Sequence, residues 1–156
     1  MARFSGEYQE TFHVEVPLEA ARARFGSLER IAGTFANLER WEPVDEKTLQ
    51  LYLKPKEGKG TAFRGRYRCR YELSPGDVLE WKTVGDGNNM WSDGRARFFA
   101  EGAGRTRIEW WGRVEMELEV PKLVSRVVAP LVSHEIRNGI ARNVANVRRV
   151  LNSSSG

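Results

Sequence analysis

The chain is poor in the groups that cross-link small proteins. Cys69 is the single cysteine among 156 residues, so no disulfide can form within the chain. The two histidines have no cysteine or carboxylate cluster at metal-ligand spacing around them, so we expect neither a metal site nor a bound cofactor. The fold must therefore depend on an ordinary apolar core, and a chain of this length is large enough to bury one.

Long hydrophobic runs are also missing. No window approaches the roughly 18 consecutive apolar residues that a membrane-spanning helix needs. The opening residues, MARFSGEYQE, lack the apolar centre of a secretory signal. We therefore expect a soluble cytoplasmic protein in which residues 1–156 form one domain, with a frayed tail over 152–156.

Neither sign of charge dominates. The chain has 19 arginines and six lysines against 21 acidic residues, and its net charge is +4. Guanidinium groups suit phosphate recognition, but acidic residues are interspersed with them throughout. We interpret these charges as ion pairs across the wet face of a sheet and expect no nucleic-acid partner. Nucleic-acid binding through Arg64, Arg66, Arg68 and Arg70 is the least favoured alternative.

The clearest pattern in the chain is the alternation in GTAFRGRYRCRYEL, residues 60–73. Every second residue from 64 to 70 is arginine, and the residues between them are mostly apolar or aromatic. A β-strand sends these two sets to opposite faces, because its side chains alternate. The segment therefore predicts one long strand with a dry aromatic face and a wet face of arginines.

The same period of two recurs along most of the chain and predicts an antiparallel sheet. Pro17 ends the first strand and favours a short helix from Leu18 to Phe25, and Ser27 caps a second short helix. We expect a loop at PKEG, residues 55–58. The strands are predicted over residues 6–16, around Trp41 and Val44, and over 49–53, 60–73, 78–84, 90–101 and 106–120.

The C-terminal segment from Pro121 to Leu151 is helical but carries two apolar stripes. The later stripe has clear helical spacing: Ile136, Ile140, Val144, Val147 and Leu151. The earlier stripe, within Leu123–Val132, points roughly the opposite way. Either Pro130 kinks the helix, or its first half is a separate helix. We favour a lid over the mouth of a cavity for Leu123–Val132; a homodimer interface or a transient membrane contact is the alternative.

Three segments resemble the START-like, or helix-grip, superfamily of polyketide cyclases and lipid-transfer domains. GEYQETFHVEVPLEAARARFGSLERIAG is similar to the opening strand and helices of that superfamily. GTAFRGRYRCRYELSPGDVLEWKTVGDG and RTRIEWWGRVEM resemble strands of the branch typified by the G subunit of carbon monoxide dehydrogenase. The resemblance implies an α+β helix-grip fold: a seven-stranded antiparallel sheet wrapped around a long C-terminal helix, with two short helices between strands one and two.

The resemblance also implies a cavity between the sheet and the last helix that binds a small hydrophobic molecule. Such a ligand would be lipid-, quinone- or polyketide-like. The same large side chains are equally able to interdigitate as a dry core. The predicted ligand contacts are the inward-facing residues Phe12, Phe63, Tyr67, Tyr71, Trp81, Phe98, Trp110, Met116, Ile136 and Ile140.

Two alternatives concern activity and location. Glu10 shares the parity of Phe12, and a buried carboxyl has the raised pKa that acid–base catalysis needs. Glu10, or a tyrosine, would then serve a cyclase or dehydrase. The resemblance to the carbon monoxide dehydrogenase branch also implies a membrane-associated accessory factor. We favour a binding protein that is not an enzyme.

Overall fold

The computed structural model describes residues 1–58 and 61–153, and its main feature is one seven-stranded antiparallel sheet. The strands are β1 (Ala2–Val14), β2 (Leu38–Asp45), β3 (Thr48–Leu53), β4 (Lys56–Gly58), β5 (Thr61–Phe63), β6 (Arg66–Ser74), β7 (Val78–Thr83), β8 (Met90–Ala100) and β9 (Thr106–Leu118). The helices are α1 (Leu18–Ala23), α2 (Leu28–Ala32) and α3 (Lys122–Asn152).

The strand order is β1-β9-β8-β7-β6-β3-β2, while β4 and β5 form a separate small hairpin. The first and last strands of the chain are therefore neighbours, and α3, which follows β9, packs back mainly onto β1. The predicted α+β helix-grip fold is confirmed, including the two short helices between β1 and β2. The predicted frayed tail over 152–156 begins too early, because Asn152 is still helical and accepts a hydrogen bond from the backbone N–H of Glu15 at 2.8 Å; residues 154–156 lie outside the described residues.

The predicted continuous strand over 60–73 is wrong. The chain forms two strands there, β5 and β6, separated at Arg64 and Gly65, and β4 replaces the predicted loop. Residue 60 lies outside the described part of the chain. The interruption coincides with a glycine, which weakens a strand. Leu53 and Met90 occupy the space beside Gly65, because a β-carbon added there would stand 3.0 Å from an atom of each.

The predicted pairing of opposite charges across the wet face holds only in part, because Arg70 stands opposite Lys82 and Glu72 opposite Glu80. The register places Glu80 opposite Arg95, and Asp93 opposite Arg113. The arginine row also has local partners. Arg64 lies 3.7 Å from Glu39, Arg66 donates to the carbonyl of Gly87, Arg68 donates to Gln50, and Arg70 donates to Glu72 at 2.9 Å. Exposed pairs of this kind contribute about 0–1 kcal/mol each.

The helices begin as the sequence predicted. The Ser27 side chain accepts a hydrogen bond from the backbone N–H of Arg30 at 3.2 Å and caps α2. Helix α3 is continuous through Pro130, so its first half is not a separate helix. Its later stripe faces the core, as predicted.

The earlier stripe of α3 is not buried as a lid. It faces solvent, and its exposed members are Leu123, Val124, Val127 and Leu131. We call these four residues the apolar patch. In the described part of the chain, no helix is long and apolar enough to cross a bilayer.

Candidate ligand-binding site

The structure brings most of the predicted ligand contacts together between the inner face of the sheet and α3, whereas Phe63 lies on β5 in the separate hairpin. Most of them are part of the core: Phe12, Tyr67, Tyr71, Trp81, Phe98, Trp110, Ile136 and Ile140 are buried. Phe63 and Met116 are partly exposed. Strand parity therefore identified the face correctly, and the long strands and the later stripe of α3 place these side chains.

The rings contact one another. The ring centres of Trp81 and Trp110 lie 4.8 Å apart, at an angle of 42°. The ring centre of Phe25 lies 5.8 Å from that of Phe98 and 6.4 Å from that of Trp110. Sequence reasoning missed Phe25, although its spacing of four from the buried Ala21 on α1 is the helical signal that would have found it.

Burial divides the inner face into two ends. At the end near α1 and α2, which we call the packed end, Val14, Ile108 and Val144 have no exposed surface. At the opposite end, which we call the open end, several apolar side chains are only partly covered, although Phe4, in register with Met116, is buried. The open end comprises Leu53, Phe63, Met90, Val114 and Met116 from the strands, with Val128 and Val132 from α3.

On β8 and β9 the change in burial falls at Gly94 and Gly112, in a row of residues across the sheet that we take as the boundary, whereas Leu51 and Tyr67 beyond that row remain buried. The register joins Tyr71 to Trp81, Trp81 to Gly94, Gly94 to Gly112, and Gly112 to Tyr8. The indole of Trp81 lies against the backbone of Gly94, because a β-carbon there would stand 1.9 Å from Cζ2 of the indole. The packed rings therefore end at a tryptophan held close to bare backbone.

The interior is closed at the predicted contacts. Tyr71, Trp81 and Ile140 each keep only 9% of their surface exposed. Two surface depressions lie mainly away from these contacts, although Glu10 and Trp110 form part of the lining of the first. One, of about 230 Å³, is lined mainly by outer-face side chains such as Arg95 and Trp111, and the other, of about 290 Å³, lies at the β2–β3 turn. A ligand that binds at the predicted contacts would therefore have to displace some of these buried side chains.

Glu10 lies on the edge strand, in the partly exposed zone of the inner face. The hydroxyl of Tyr8 donates a hydrogen bond to its carboxylate. This bond, together with desolvation, raises the pKa of Tyr8, because both favour the neutral hydroxyl. Arg137 of α3 lies 6.0 Å from the centre of the Tyr8 ring. The carboxyl is therefore paired and half-buried, rather than enclosed among the aromatic rings.

The histidines take no part in this site. His13 pairs with Glu101 at 3.2 Å on the outer face, and His134 is exposed on α3. Within the described residues, no three histidine, cysteine or acidic side chains stand together as metal ligands.

Cys69 and two tyrosines are the buried titratable groups of the inner face. Burial raises the pKa of Cys69 to about 12, and the neighbouring Tyr71 hydroxyl offsets only part of that rise. Burial also raises the pKa of Tyr67 and of Tyr71 well above the ordinary tyrosine value. The thiol is therefore a small buried apolar group, in line with its parity.

These shifts predict that the protein loses stability in alkali. Above about pH 9 the unfolded chain releases the Cys69 proton while the folded chain retains it, so the free energy of unfolding falls as the pH rises towards 12. One such group contributes a slope of at most about 1.4 kcal/mol per pH unit. Urea unfolding between about pH 8 and pH 11 would measure it. In Cys69→Ala the free energy of unfolding should fall less steeply with pH than in the wild type. Equal slopes for the two proteins would show that Cys69 does not cause the loss of stability.

The architecture defines a class of protein. A long C-terminal helix packed on the inner face of a seven-stranded antiparallel sheet is the START-like helix-grip fold, and solved structures share it. The aromatase/cyclase Zhui from Streptomyces sp. R1128 is 13% identical, with a TM-score of 0.68, 94% of this chain and 93% of that chain covered. A START superfamily protein from Mycobacterium smegmatis is 14% identical, with a TM-score of 0.61 and coverages of 92% and 98%.

Norcoclaurine synthase from Thalictrum flavum, in complex with dopamine and hydroxybenzaldehyde, is 10% identical, with a TM-score of 0.63 and coverages of 99% and 90%. The family itself follows from the sequence. The profile of CoxG, the family of the G subunit of carbon monoxide dehydrogenase, matches residues 11–152, so the chain belongs to that family. A comparison with curated proteins gave no match.

Proposed function

We propose that the chain binds a small hydrophobic molecule between its sheet and α3, entering through the open end. The observation that carries this proposal is the change in burial along one face. The inner face is fully covered at Val14 and Ile108, yet its apolar side chains are partly exposed at Met90 and Met116. Apolar surface left uncovered beside a complete core is typical of a ligand site.

The residues at the open end are able to make room. Met90 and Met116 are directly opposite each other on β8 and β9, and methionine adapts its shape readily because it is unbranched and flexible. Each Å² of apolar surface that the ligand covers would contribute about 25 cal/mol to the free energy of binding. Binding would therefore repack the open end and leave the packed end unchanged.

Native mass spectrometry against lipid, quinone and polyketide-like libraries would test the proposal. We expect retention of a hydrophobic molecule, and loss of that retention in Met116→Glu, because a carboxylate at the open end would have to be desolvated. Val44→Glu is the matched control, since Val44 is exposed on β2, away from the open end. A wild-type protein that retains nothing, or two variants that behave alike, would refute the proposal.

A second candidate function is a cyclase or dehydrase activity. The hydrogen-bonded pair of Tyr8 and Glu10, half-exposed at the edge of the inner face, is the observation that favours it. A substrate at the open end would meet the Tyr8 hydroxyl first, because Tyr8 lies in the boundary row and Glu10 lies one step further along β1, opposite Trp110. Folded Glu10→Gln protein that retains full turnover of an identified substrate would exclude Glu10 as the catalytic acid.

The apolar patch favours a contact with a membrane or a second copy of the chain. Its members are strongly exposed, and Lys122 and Arg126 are the charged residues in the first turns of the same helix. Apolar side chains beside basic ones suit an anionic bilayer surface. The patch is close to the open end, since Val128 and Val132 lie on the same half of α3, and docking there would bring a ligand near its entrance.

A further inference from the structure

The contact between Gly94 and Trp81 is closer than any other residue at position 94 would allow. A β-carbon added to Gly94 would stand 1.9 Å from Cζ2, 2.2 Å from Cε2 and 2.6 Å from Nε1 of the indole. Three ring atoms thus occupy the space that a side chain at 94 would take. The indole therefore lies directly against the bare backbone of β8, and glycine in a strand commonly marks such a close approach.

Trp81 also stands at the boundary between the packed end and the open end. Its neighbour at the packed end, Leu79, is 1% exposed, whereas Met90 and Ser92 on the adjacent strand are partly exposed. The indole itself keeps a small exposed area and touches Trp110 on one side. A ligand that enters through the open end would therefore reach this indole at the boundary row, beyond the buried rings of Phe4 and Tyr67.

We propose that Gly94 determines ligand specificity by holding the Trp81 indole against the sheet, so that the inner end of the site takes a planar ring rather than an alkyl chain. This inference rests on the proposed function. An aromatic ligand that stacks on the indole, or meets it edge to face, gains binding free energy beyond that of the apolar area it buries. An alkyl chain gains binding free energy only in proportion to its buried area. Gly94 would touch no ligand, so it is a positioning residue that acts through Trp81.

Gly94→Ala is the direct test, with 2-naphthol and 1-decanol as probes of equal carbon number. The added methyl must push the indole away from the backbone and tilt its plane. We expect the ratio of naphthol affinity to decanol affinity to fall roughly three- to tenfold, which is the size of an aromatic contact. Near-UV circular dichroism of the tryptophans would report the tilt in the same samples.

Gly112→Ala is the matched control, because it lies in the same row on the next strand. A β-carbon at Gly112 would approach no atom closer than 3.6 Å, which is an ordinary contact, so the indole stays in place. The affinity ratio should therefore remain within about twofold of the wild-type ratio, a change too small for the loss of an aromatic contact.

The outcomes separate the two proposals. An unchanged ratio in folded Gly94→Ala protein overturns the specificity inference while leaving ligand binding intact. If Gly94→Ala does not fold, Trp81→Leu is the second test, because leucine keeps an apolar side chain but removes the planar indole. An unchanged ratio of naphthol to decanol affinity in Trp81→Leu would also overturn the inference. Wild-type protein that binds neither probe would instead count against the proposed function, and the inference would fall with it.

Discussion

Replacing Val144 with aspartate is expected to abolish folding at neutral pH. Val144 has no exposed surface and lies in the core stripe of α3. An unpaired carboxylate in such a place costs several kcal/mol, which is comparable with the whole stability of a domain, about 5–15 kcal/mol. Chemical denaturation followed by far-UV circular dichroism would show no cooperative transition at pH 7. Structure should partly return below about pH 4, where the introduced carboxyl is protonated.

Val127→Asp is the matched control, because it makes the same change on the same helix. Val127 is 75% exposed, so the carboxylate stays in water and stability should change by less than about 0.5 kcal/mol. A large loss of stability would mean that another molecule covers the apolar patch in solution, as in a homodimer. The folded variant also serves in liposome flotation, where reduced binding to anionic vesicles would support membrane docking.

The different fates of these two valines were readable from the sequence. At about 100° per residue, the earlier and later stripes of α3 point in opposite directions, so both cannot face one sheet. What the sequence left open was which alternative relieves the conflict. The structure keeps one continuous helix through Pro130 and leaves the earlier stripe in solvent. The favoured prediction, a lid over the cavity mouth that bends at Pro130, is therefore wrong.

The sequence predicts which side chains face the interior, but it does not predict whether those side chains fill the interior or leave a cavity. Strict alternation identifies which side chains point inward, and it placed Tyr67, Tyr71 and Trp81 correctly. Alternation says nothing about rotamers, and whether rings mesh or leave space depends on a few ångströms of side-chain rotation. A glycine inside a strand does signal close approach. Gly94 carried that signal in the sequence, and the contact with Trp81 is its structural cause.

The interruption at Gly65 shows the limit of periodicity in the same way. The alternation of residues 60–73 fits one strand without a break, because periodicity detects faces and not hydrogen-bond partners. The structure instead moves β5 out of the main sheet to pair with β4. As a result, Phe63, Leu53 and Met90 surround Gly65. Each has an atom within 3.4 Å of the position that a β-carbon on Gly65 would take. The open end is therefore built partly by a hairpin that the pattern did not predict.

Gly6→Ala should destabilise the protein, because α3 crosses β1 at this residue. A β-carbon at Gly6 would stand 2.8 Å from the carbonyl oxygen of Ser133 and 3.0 Å from a side-chain carbon of Ile136. The nearer contact is with helix backbone, which cannot rotate away, so α3 must shift as a whole. Overpacking of this kind costs about 1–3 kcal/mol, and for a chain of this size each kcal/mol lowers Tm by about 2–4 °C.

Gly112→Ala again provides the comparison, since Gly112 also lies beneath α3 but has ordinary clearance to Ile140. Calorimetry should therefore show a fall in Tm of several degrees for Gly6→Ala and a much smaller change for Gly112→Ala. Because α3 also carries Val128 and Val132, its displacement at Gly6 should reach the open end and weaken binding of a hydrophobic ligand. Equal Tm values for the two variants would show that the crossing of α3 over β1 is looser than the structure has it, and the closed packing of the inner face would lose its main support.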